Sequence, residues 1–266
     1  MLATLLTDFG TADYFVGAMK GALLRVCSRA QIIDITHEIP PHDIEAGAFA
    51  LLAAYETFPS GTVHVAVVDP GVGSARRPIL VATREHLFVG PDNGLFGYVY
   101  SREREFGVYH LTNEKYFRHN VDATFHGRDL FAPVAGALLN GVEPRELGER
   151  IENFVQLARP TPQRAADGTL HASIIHIDRF GNCITNISRS DLTNDNIARG
   201  ARIVVGEHEV RSFRRFFADE TDAPGEPFAL WGSAGLLEIA VFRDSAARRL
   251  GIARGQTVKV VLDVES

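Results

Sequence analysis

The strongest constraint on the fold of this chain is the alternation, in its first half, of short apolar runs with segments of helical periodicity. Ala3–Leu6 and Thr62–Val68 are apolar runs of strand length, and Tyr14–Val26 between them carries apolar residues at helical spacing. Alternating strands and helices with short loops are typical of a mainly parallel sheet with helices on both faces. We therefore predict an α/β fold for residues 1–157.

The same pattern continues through the rest of this half. The remaining predicted elements are a strand over Gln31–Ile35, a helix from Ile44 to about Thr57 with Asp43 as its cap, strands over Ile79–Thr83 and His86–Val89, and a helix over about Gly127–Leu139. The two strands around residue 84 are expected to pair with each other.

The second half begins with a segment that has no apolar period. Residues 158–168 contain two prolines, a glycine and mixed charges, which is typical of a linker. Short β-rich runs follow: Leu170–Ile177, Cys183–Ile187, Ala201–Val205, Phe228–Leu230, Leu236–Phe242 and Thr257–Val264. A helical pattern is clear over Ala246–Leu250. We predict a smaller antiparallel sheet or barrel for residues 169–266, and hence two domains joined by a linker.

Composition argues against several classes of protein. The chain has 27 Lys and Arg against 33 Asp and Glu, and a net charge of −6 offers no broad positive surface for nucleic acid. No apolar run approaches the roughly 20 residues that a membrane span needs. The amino end lacks a basic region and meets Asp8 early, so we expect no secretion signal. With only two cysteines, the chain is expected to be a cytoplasmic protein without a disulfide scaffold.

Polar residues follow the predicted strands of the first half, where parallel sheets bind their ligands. Asp8 follows the first strand. Its carboxylate could either stabilise a turn or cap, or accept two hydrogen bonds from a cis-diol. Asp69 ends the third strand and needs a cationic partner, for which Arg76 and Arg77 are both close in sequence. His126 precedes a predicted helix start, where main-chain donors concentrate. These residues are candidates for a site.

Two other interpretations of this half are weaker. The segment His37–Asp43 holds two histidines and two acidic residues, but Pro40 and Pro41 force an extended turn instead of the helical face of a zinc site. The glycine-rich loop after Asp69 matches neither common phosphate-binding pattern, and a carboxylate opens it. We therefore predict no metal site and no phosphate site.

The second half has one dense group of polar residues. The segment Asp178–Asn182 combines a carboxylate, an aromatic ring, a glycine that permits a tight bend, and an amide. An amide beside an aromatic ring, here Asn182 and Phe180, suits the edge of a purine, although an ordinary β-turn is the alternative. The segment Gly232–Gly235 consists of small residues that let a ligand approach the backbone.

Seven stretches are similar, in this order, to those of one known family: TDFGTADYFVGAMKG, DITHEIPPHDIEAGA, VVDPGVGSARRPI, VGPDNGL, FHGRDLFAPVA, IDRFGNCITNI and GSAGLLEIAV. The family is the S-adenosylmethionine (SAM) hydroxide adenosyltransferases, relatives of the fluorinase and chlorinase enzymes. Several stretches are long and unusual, and together they cover nearly the whole chain. The resemblance is therefore specific.

The resemblance implies a two-domain subunit, with an α/β domain followed by a β-barrel-like domain, in a homotrimer. The ligand would lie between the first domain of one subunit and the second domain of a neighbour. The implied reaction is attack of water-derived hydroxide on C5′ of SAM, which releases adenosine and L-methionine without a cofactor. Nucleic acid and membrane partners are not expected.

The same resemblance implies roles for individual residues. Asp69, Arg76 and His126 would hold the attacking water, with either Asp69 or His126 as its base. Asp8 would bind the ribose hydroxyls. The other implied contacts are Asp13 and Asp178 to the methionine ammonium group, Ser233 to its carboxylate, Asn182 and Phe180 to adenine, and Phe213, Phe216 or Phe217 to the other adenine face.

Differences from the halogenating members favour the hydrolytic reaction. By the resemblance, those enzymes carry tyrosines at the positions of Asp69 and His126. They also have small hydroxyl residues where this chain has Val72 and Gly127. A carboxylate at position 69 would repel a halide, so we do not expect halogenation.

One function from a different class is a non-catalytic module that senses adenosine or SAM. The water-holding set favours the enzyme, because a sensor has no use for it. Phe15 and Ala234 stand where the halogenating members have polar contacts, so other residues are expected to hold the methionine end.

Overall fold

The computed structural model describes residues 1–219 and 225–262. The chain divides into two units, Met1–Arg159 and Pro160–Ser266. Of the predicted strand Thr257–Val264, the last two residues lie outside the described residues. No helix in the described part has the length and apolar character that crossing a membrane requires.

The first unit is built on one sheet. Its strands are β1 (Leu2–Thr7), β2 (Gln31–Thr36), β3 (Val63–Val67), β4 (Pro78–Thr83), β5 (Leu87–Pro91), β6 (Phe106–His110) and β7 (Arg150–Ile151). The strand order is β2-β1-β3-β5-β4-β6-β7, with parallel pairs from β2 to β5 and antiparallel pairs beyond. Five of the seven strands run in one direction, so the predicted mainly parallel α/β sheet is confirmed.

Helices cover both faces of this sheet. They are α1 (Phe15–Val26), α2 (Ile44–Ala54), α3 (Gly97–Arg102), α4 (Ala132–Leu139) and α5 (Pro144–Leu147). Successive strand residues point to opposite faces, and here both faces are buried. Leu5 packs with residues of α1 and α4, whereas Leu6 packs with residues of α2 and α3. Val65 and Ala66 repeat this division on β3.

Two predicted helices differ from the observed ones in detail. Asp43 accepts a hydrogen bond from Ala46 N at 3.0 Å, which confirms the predicted cap, but α2 gives way to a 3₁₀ turn over Tyr55–Thr57. The predicted helix over Gly127–Leu139 begins with a π-helical turn over Gly127–Phe131, and only then continues as α4. Such turns are frequent at functional sites, and an apolar pattern of helical period does not reveal them.

The second unit is an antiparallel sheet. Among the described residues its strands are β8 (Gln163–Arg164), β9 (Leu170–Ile177), β10 (Cys183–Ser188), β11 (Arg202–Val205), β12 (His208–Val210), β13 (Pro227–Trp231), β14 (Leu236–Val241) and β15 (Thr257–Val261), with helices α6 (Asn194–Ala198) and α7 (Ala246–Leu250). The order is β12-β11-β15-β9-β10-β14-β13, and β8 pairs with β9. After β12 the chain returns to β13, where Arg214 N donates to Ala229 O at 2.8 Å. The sheet is thus nearly closed, and the predicted barrel-like fold is confirmed.

Strand β8 lies within residues 158–168, for which the sequence predicted a linker. It forms a hairpin with β9 through a turn in which Gly168 N donates to Ala165 O at 3.0 Å. Gln163 and Arg164 are polar and exposed, so no apolar alternation marks this strand. The other elements that were not predicted, namely α3, α5, α6, β6, β7 and β12, are also short.

Candidate active site

Two loops of the first unit follow neighbouring strands at the same edge of the sheet. Thr7, the last residue of β1, pairs with Val67, the last residue of β3, in a parallel register. Asp8 follows β1 directly, and Asp69 comes shortly after β3. The carboxyl ends of parallel strands are where ligands bind, so these loops mark the candidate site.

Arg76 connects Asp69 with His126. Arg76 Nε lies 3.0 Å from each carboxylate oxygen of Asp69, and Arg76 Nη2 also donates to Asp69 Oδ2. The same Nη2 lies 2.7 Å from His126 Nδ1. The side chains of Arg76 and Asp69 are only 9% and 4% exposed, so solvent ions screen this pair little. The structure therefore brings together the three residues that the resemblance implied as one set.

The loop between Asp69 and Arg76 is held by its own hydrogen bonds. Ser74 Oγ donates to Gly71 O at 2.7 Å and accepts from Arg76 N at 3.2 Å. Gly73 has a φ of +77°, and a Cβ at this position would lie 2.5 Å from Ala123 O. Only glycine fits there. These contacts fix the turn that directs Arg76 back towards the carboxylate.

His126 is preceded in the chain by Phe125, which packs against two phenylalanines that come after β1. The ring of Phe125 lies 6.0 Å from that of Phe9 and 5.3 Å from that of Phe15, between ring centroids. Both contacts are edge-on, a favourable arrangement for aromatic pairs. The loop after β1 is thereby fixed beside the segment that carries His126.

The electrostatic state of His126 follows from its surroundings. Burial, and after it the charge of Arg76, lower the pKa of His126 below its ordinary value of 6.5. Because a guanidinium only donates, His126 Nδ1 accepts the hydrogen bond from Arg76. The single proton of the neutral ring is then on Nε2.

One donor of Arg76 has no partner. Its Nη1 atom is buried and makes no hydrogen bond to any of the described residues. The guanidinium carbon lies 5.3 Å from the ring centroid of Phe131. An unsatisfied buried donor costs about 1–3 kcal/mol, so this position suits a bound water or an anionic atom. The group can therefore polarise a water molecule beside a carboxylate.

Arg77, the other candidate partner of Asp69, pairs with a different carboxylate. Its Nε and Nη2 donate to Asp92 Oδ2 at 3.0 and 2.6 Å, and its Nη1 donates to Asn153 Oδ1 at 3.1 Å. The Asp92 side chain is 3% exposed. Arg77 thus fastens the chain after β5 to residues near 153, and the partner of Asp69 is Arg76.

The two other carboxylates predicted in the first unit have different environments. The Asp8 side chain is 7% exposed and accepts a hydrogen bond from His42 N at 2.8 Å. Asp13 is exposed, and its carboxylate has no hydrogen bond or ion pair to the described residues. The neighbouring Tyr14 is 68% exposed. Asp8 is therefore fixed, whereas Asp13 is open to a ligand.

The side chains of the segment His37–Asp43 have separate partners. His37 Nδ1 lies 2.8 Å from Thr7 Oγ1, and His37 Nε2 lies 3.1 Å from Asp34 Oδ1. The His42 side chain is 75% exposed. Over residues 1–219 and 225–262, no three His, Cys, Asp or Glu side chains come together in a way that would hold a metal ion.

In the second unit, Asp178 organises a tight turn. Its Oδ1 accepts from Phe180 N at 2.9 Å and from Asn182 N at 2.8 Å, while its Oδ2 accepts from Asn182 Nδ2 at 2.8 Å. Gly181 has a φ of +85°, and a Cβ there would lie 2.0 Å from Ser245 Oγ. Asn182 is buried in this turn, and the ring of Phe180 is left 77% exposed.

A cavity of about 520 Å³ lies against this turn, lined in part by Phe180 and Asn182. Of the three phenylalanines left open by the sequence, Phe217 lines this cavity. Phe213 instead lines a smaller one with Trp231. With Phe242, the larger cavity combines three aromatic side chains with an amide, which is a set that suits a purine base.

The turn between β13 and β14 contains Ser233, which is exposed. A Cβ on Gly232 would lie 1.6 Å from Glu238 Oε1, so the carboxyl group of Glu238 lies directly beside this turn. Burial, and after it the charge of Asp178, raise the pKa of Glu238 to about 6. Sequence reasoning missed Glu238, although one acidic residue in the apolar run LLEIAV was a signal.

Comparison with known proteins identifies relatives along the whole chain. Residues 3–148 match the SAM hydroxide adenosyltransferase N-terminal domain, and residues 172–259 match the C-terminal domain of the same family. An (R)-S-adenosyl-L-methionine hydrolase of Methanocaldococcus jannaschii is 37% identical over 98% of this chain and 95% of its own length. An (R)-S-adenosyl-L-methionine hydrolase of Thermus thermophilus is 36% identical over 96% of this chain and 98% of its own length.

Two further comparisons extend this result. A fluorinase of an Actinoplanes species is 27% identical over 96% of this chain and 95% of its own length, so it is a more distant relative. The crystal structure of a conserved protein from Thermotoga maritima has a TM-score of 0.90 at 32% identity, and covers 98% of this chain and 99% of its own.

Proposed function

This chain belongs to the SAM hydroxide adenosyltransferase family, and we propose that it hydrolyses S-adenosyl-L-methionine to adenosine and L-methionine. The observation that carries this proposal is the buried group of Asp69, Arg76 and His126, with one Arg76 donor left unpartnered. Relatives that carry the name of this activity cover nearly the whole chain.

The proposed reaction is an in-line displacement at C5′ of SAM. The oxygen of a water molecule bonds to C5′, the bond between C5′ and sulfur breaks, and its electron pair leaves with L-methionine as a neutral thioether. A sulfonium needs no acid to leave. The difficult partner is the nucleophile, because water with a pKa of about 15.7 supplies little hydroxide. The protein must therefore accept a proton and stabilise the charge that develops on oxygen.

Arg76 is suited to stabilise that charge. Its free Nη1 donor is buried and already oriented, and one such preorganised donor is worth about 10²–10³ in kcat. The guanidinium stays charged at any pH of interest. We assign this donor to the attacking water.

Asp69 is the better candidate for the base. His126 Nδ1 is engaged by Arg76 and its Nε2 carries the ring proton, so the neutral ring has no lone pair left to accept a proton from water. A carboxylate has about four acceptor sites, and Arg76 uses three on Asp69. In this assignment His126 positions Arg76 and Asp69 accepts the proton, an effect worth about 10²–10⁴ in rate.

Both units supply candidate contacts for the rest of the substrate. Gripping both ends of SAM favours the reaction, because displacement needs oxygen, carbon and sulfur in line. The proposed contacts are Asp8 to the ribose hydroxyls, Asn182, Phe180 and Phe217 to adenine, Asp13 and Asp178 to the ammonium group, and Ser233 to the carboxylate.

We further propose that the protein is a homotrimer, with each site shared between two subunits, that it needs no cofactor and that it works in the cytoplasm. Asp13 and Phe180 are both exposed, so a second subunit is a reasonable source of the surface that encloses their ligand. Cys27 and Cys183 are free, as is typical of reducing compartments. Sedimentation at about three times 29.1 kDa, turnover in the presence of a chelator and cell fractionation test these points.

The test of the reaction is incubation of the purified protein with SAM in water enriched in oxygen-18. We expect equal amounts of adenosine and L-methionine on chromatography, with the label in the 5′-hydroxyl group of adenosine. Added chloride should give no chlorinated nucleoside, since Asp69 repels a halide. Binding of SAM without any product would contradict the proposal and favour the sensor.

A further inference from the structure

The first unit contains a cavity of about 740 Å³ to which no role has been given above. Its walls come from α1, from residues 115–120, and from the π-turn and α4, and none of the residues proposed above for catalysis or substrate binding lines it. On α1 the lining residues include Ala18, Gly21 and Ala22, whose short side chains leave the space open. The volume falls in the range of about 300–1,000 Å³ that is typical of small-molecule sites.

The lining of this cavity is strongly basic. Its charged side chains are Arg25, Lys115, Arg118 and Arg128, and His119 lies among them, whereas none of the described lining residues is acidic. The chain as a whole has a net charge of −6, so this concentration of cations is a local feature. A cleft lined by one sign of charge concentrates ligands of the opposite sign. The cavity therefore suits an anion.

Two of these arginines are already oriented by a buried carboxylate. Asp129 Oδ1 accepts from Arg118 Nη1 and from Arg128 Nε, both at 2.6 Å, and its Oδ2 accepts from Arg128 Nη2 at 2.7 Å. One carboxylate balances only one of the two guanidinium charges. Arg118 Nη2 and Arg128 Nη1 have no hydrogen bond to the described residues. Guanidinium groups that are fixed and still have free donors bind phosphate oxygens at a low cost in entropy.

Arg25 and Lys115 add two more positive charges. Neither side chain forms a hydrogen bond or an ion pair within the described part of the chain, although Lys115 Nζ lies 5.5 Å from the ring centroid of Tyr116. Both residues are exposed, so they are free to turn towards a ligand. With the charge left over at Asp129, the cavity matches a ligand that carries two or three negative charges.

Another part of the lining is apolar. Pro133 and Ala137 are four residues apart on α4 and so lie on one face of that helix, and Val26 ends α1. Tyr116 and Phe117 also line the cavity. A small inorganic anion would leave this surface in contact with water, whereas the flat ring of a nucleotide base would cover it. The lining thus favours a phosphate chain attached to an apolar ring.

We propose that this cavity is a binding site for a nucleoside diphosphate, with its phosphates on the arginines and Lys115 and its base against the apolar residues. The site is separate from the proposed active site and does not depend on hydrolysis of SAM. No sequence motif marks it, because Arg25 and Arg128 are far apart in the chain and meet only when α1 packs beside α4.

The test is a calorimetric titration of the full chain with cytidine diphosphate, inorganic pyrophosphate and cytidine. Adenosine is present at a saturating concentration, so that the proposed active site is filled. We expect cytidine diphosphate to bind most tightly, pyrophosphate to bind more weakly, and cytidine not to bind measurably. Added salt should weaken the binding of cytidine diphosphate, because it screens the exposed cations.

Single substitutions locate the binding site. Arg25→Gln and Lys115→Gln each remove one cation that has no protein partner, so they should leave folding unchanged and raise the Kd of cytidine diphosphate about 10-fold. Arg29→Gln is the matched control. It removes the same charge from an exposed position four residues after Arg25 that does not line the cavity, and should leave this Kd unchanged.

Four outcomes would overturn the inference. Cytidine diphosphate might fail to bind in the presence of adenosine, or pyrophosphate might bind as tightly, which would leave the apolar residues without a role. The Kd might be the same in Arg25→Gln and Lys115→Gln as in the wild type. A smaller sedimenting species in either variant would place the cavity at a contact between subunits. If the wild-type protein does not hydrolyse SAM, the proposed function fails, while these titrations still test the cavity.

Discussion

The candidate residues of the two units differ in how they are brought together and in how many of their donors and acceptors already have partners. In the first unit, Asp69 and Arg76 come from one loop and His126 from another, and the three take up most of one another's donors and acceptors. In the second unit, the turn at 178–182 is contiguous in sequence, and it leaves the ring of Phe180 exposed beside a cavity. Groups held by fixed partners are prepared for a chemical step, whereas open rings and acceptors are prepared for a ligand. We therefore expect substitutions in the first unit to lower kcat, and substitutions in the second to raise KM.

The largest expected effect separates two adjacent arginines. Arg76→Ala removes the donor assigned to the attacking water, and should lower kcat about 10²–10⁴-fold with the KM for SAM little changed. Arg77→Ala should instead leave kcat nearly unchanged and destabilise the protein by a few kcal/mol, because it leaves the buried Asp92 carboxylate unpaired. Steady-state kinetics and denaturant unfolding of both variants measure this. A similar loss of kcat in both variants would contradict the assignment, because it would show that losing a buried ion pair is enough to lower kcat without any loss of a donor to the attacking water.

The next prediction compares two glycines with the same backbone angle. Gly181 and Gly168 both have a φ of +85°. A Cβ at position 181 would lie 2.0 Å from Ser245 Oγ, whereas one at 168 would meet no atom within 4 Å. Alanine at either position costs about 1–2 kcal/mol in the left-handed conformation. Gly181→Ala should lower the free energy of unfolding by about 1–3 kcal/mol more than Gly168→Ala does, because the added methyl group is overpacked. It should also raise the KM for SAM, because the turn holds Asn182.

Denaturant unfolding and kinetics on the two alanine variants measure that difference. Equal free energies of unfolding would mean that Ser245, the N-cap of α7, moves aside without strain. In that case the turn would be less rigid than its hydrogen bonds indicate.

The same contrast explains what sequence reasoning recovered. The turn at 178–182 was predicted because the hydrogen bonds to the Asp178 carboxylate that shape it all come from residues within four positions of Asp178. The choice of Arg76 over Arg77 came from the family resemblance alone, because in the structure it depends on Asp92, which becomes a neighbour of Arg77 only when β4 and β5 pair. The grouping of Asp69 with His126 came from the family resemblance, since no spacing rule joins two loops that far apart in the sequence.

The fold shows the same limit. Strands that are buried on both faces were recovered, because their apolar runs are visible in the sequence. Strand β8 is polar and owes its conformation to pairing with β9, and the π-turn at 127–131 has the apolar pattern of an ordinary helix. Glu238 follows the rule that polar residues of a strand face outward, but this outward face is itself buried at Leu230 and Ala240, and the Glu238 carboxyl group lies beside Gly232.

A smaller effect is expected for the aromatic residues of the second unit. Phe217 lines the cavity beside Asn182, whereas Phe216 is 52% exposed and does not line it. Base stacking on an aromatic ring is worth about 1–3 kcal/mol, so Phe217→Ala should raise the KM for SAM by about 5–150-fold. Phe216→Ala is the matched control and should change KM little. Equal values for the two variants would mean that adenine does not stack on Phe217.

The smallest expected effect tests the division of roles within the first unit. Asparagine at position 126 keeps an acceptor for Arg76 but does not titrate. If His126 only positions Arg76, His126→Asn should lower kcat by about 10-fold or less, the effect of one weakened hydrogen bond, and His126→Ala should lower it further. If His126 were the base, both variants would lose turnover equally.

The pH dependence of kcat provides an independent readout of the same question. Protonation of His126 at Nδ1 would break its hydrogen bond from Arg76, so wild-type kcat should fall as the pH drops through the pKa of His126. Burial and the Arg76 charge lower that pKa below 6.5, so the fall should begin only on the acidic side of this value. In His126→Asn the fall should disappear, because no group at position 126 is left to titrate. A fall that persists at the same pH in this variant would have to come from another group, and His126 would then not control the orientation of Arg76.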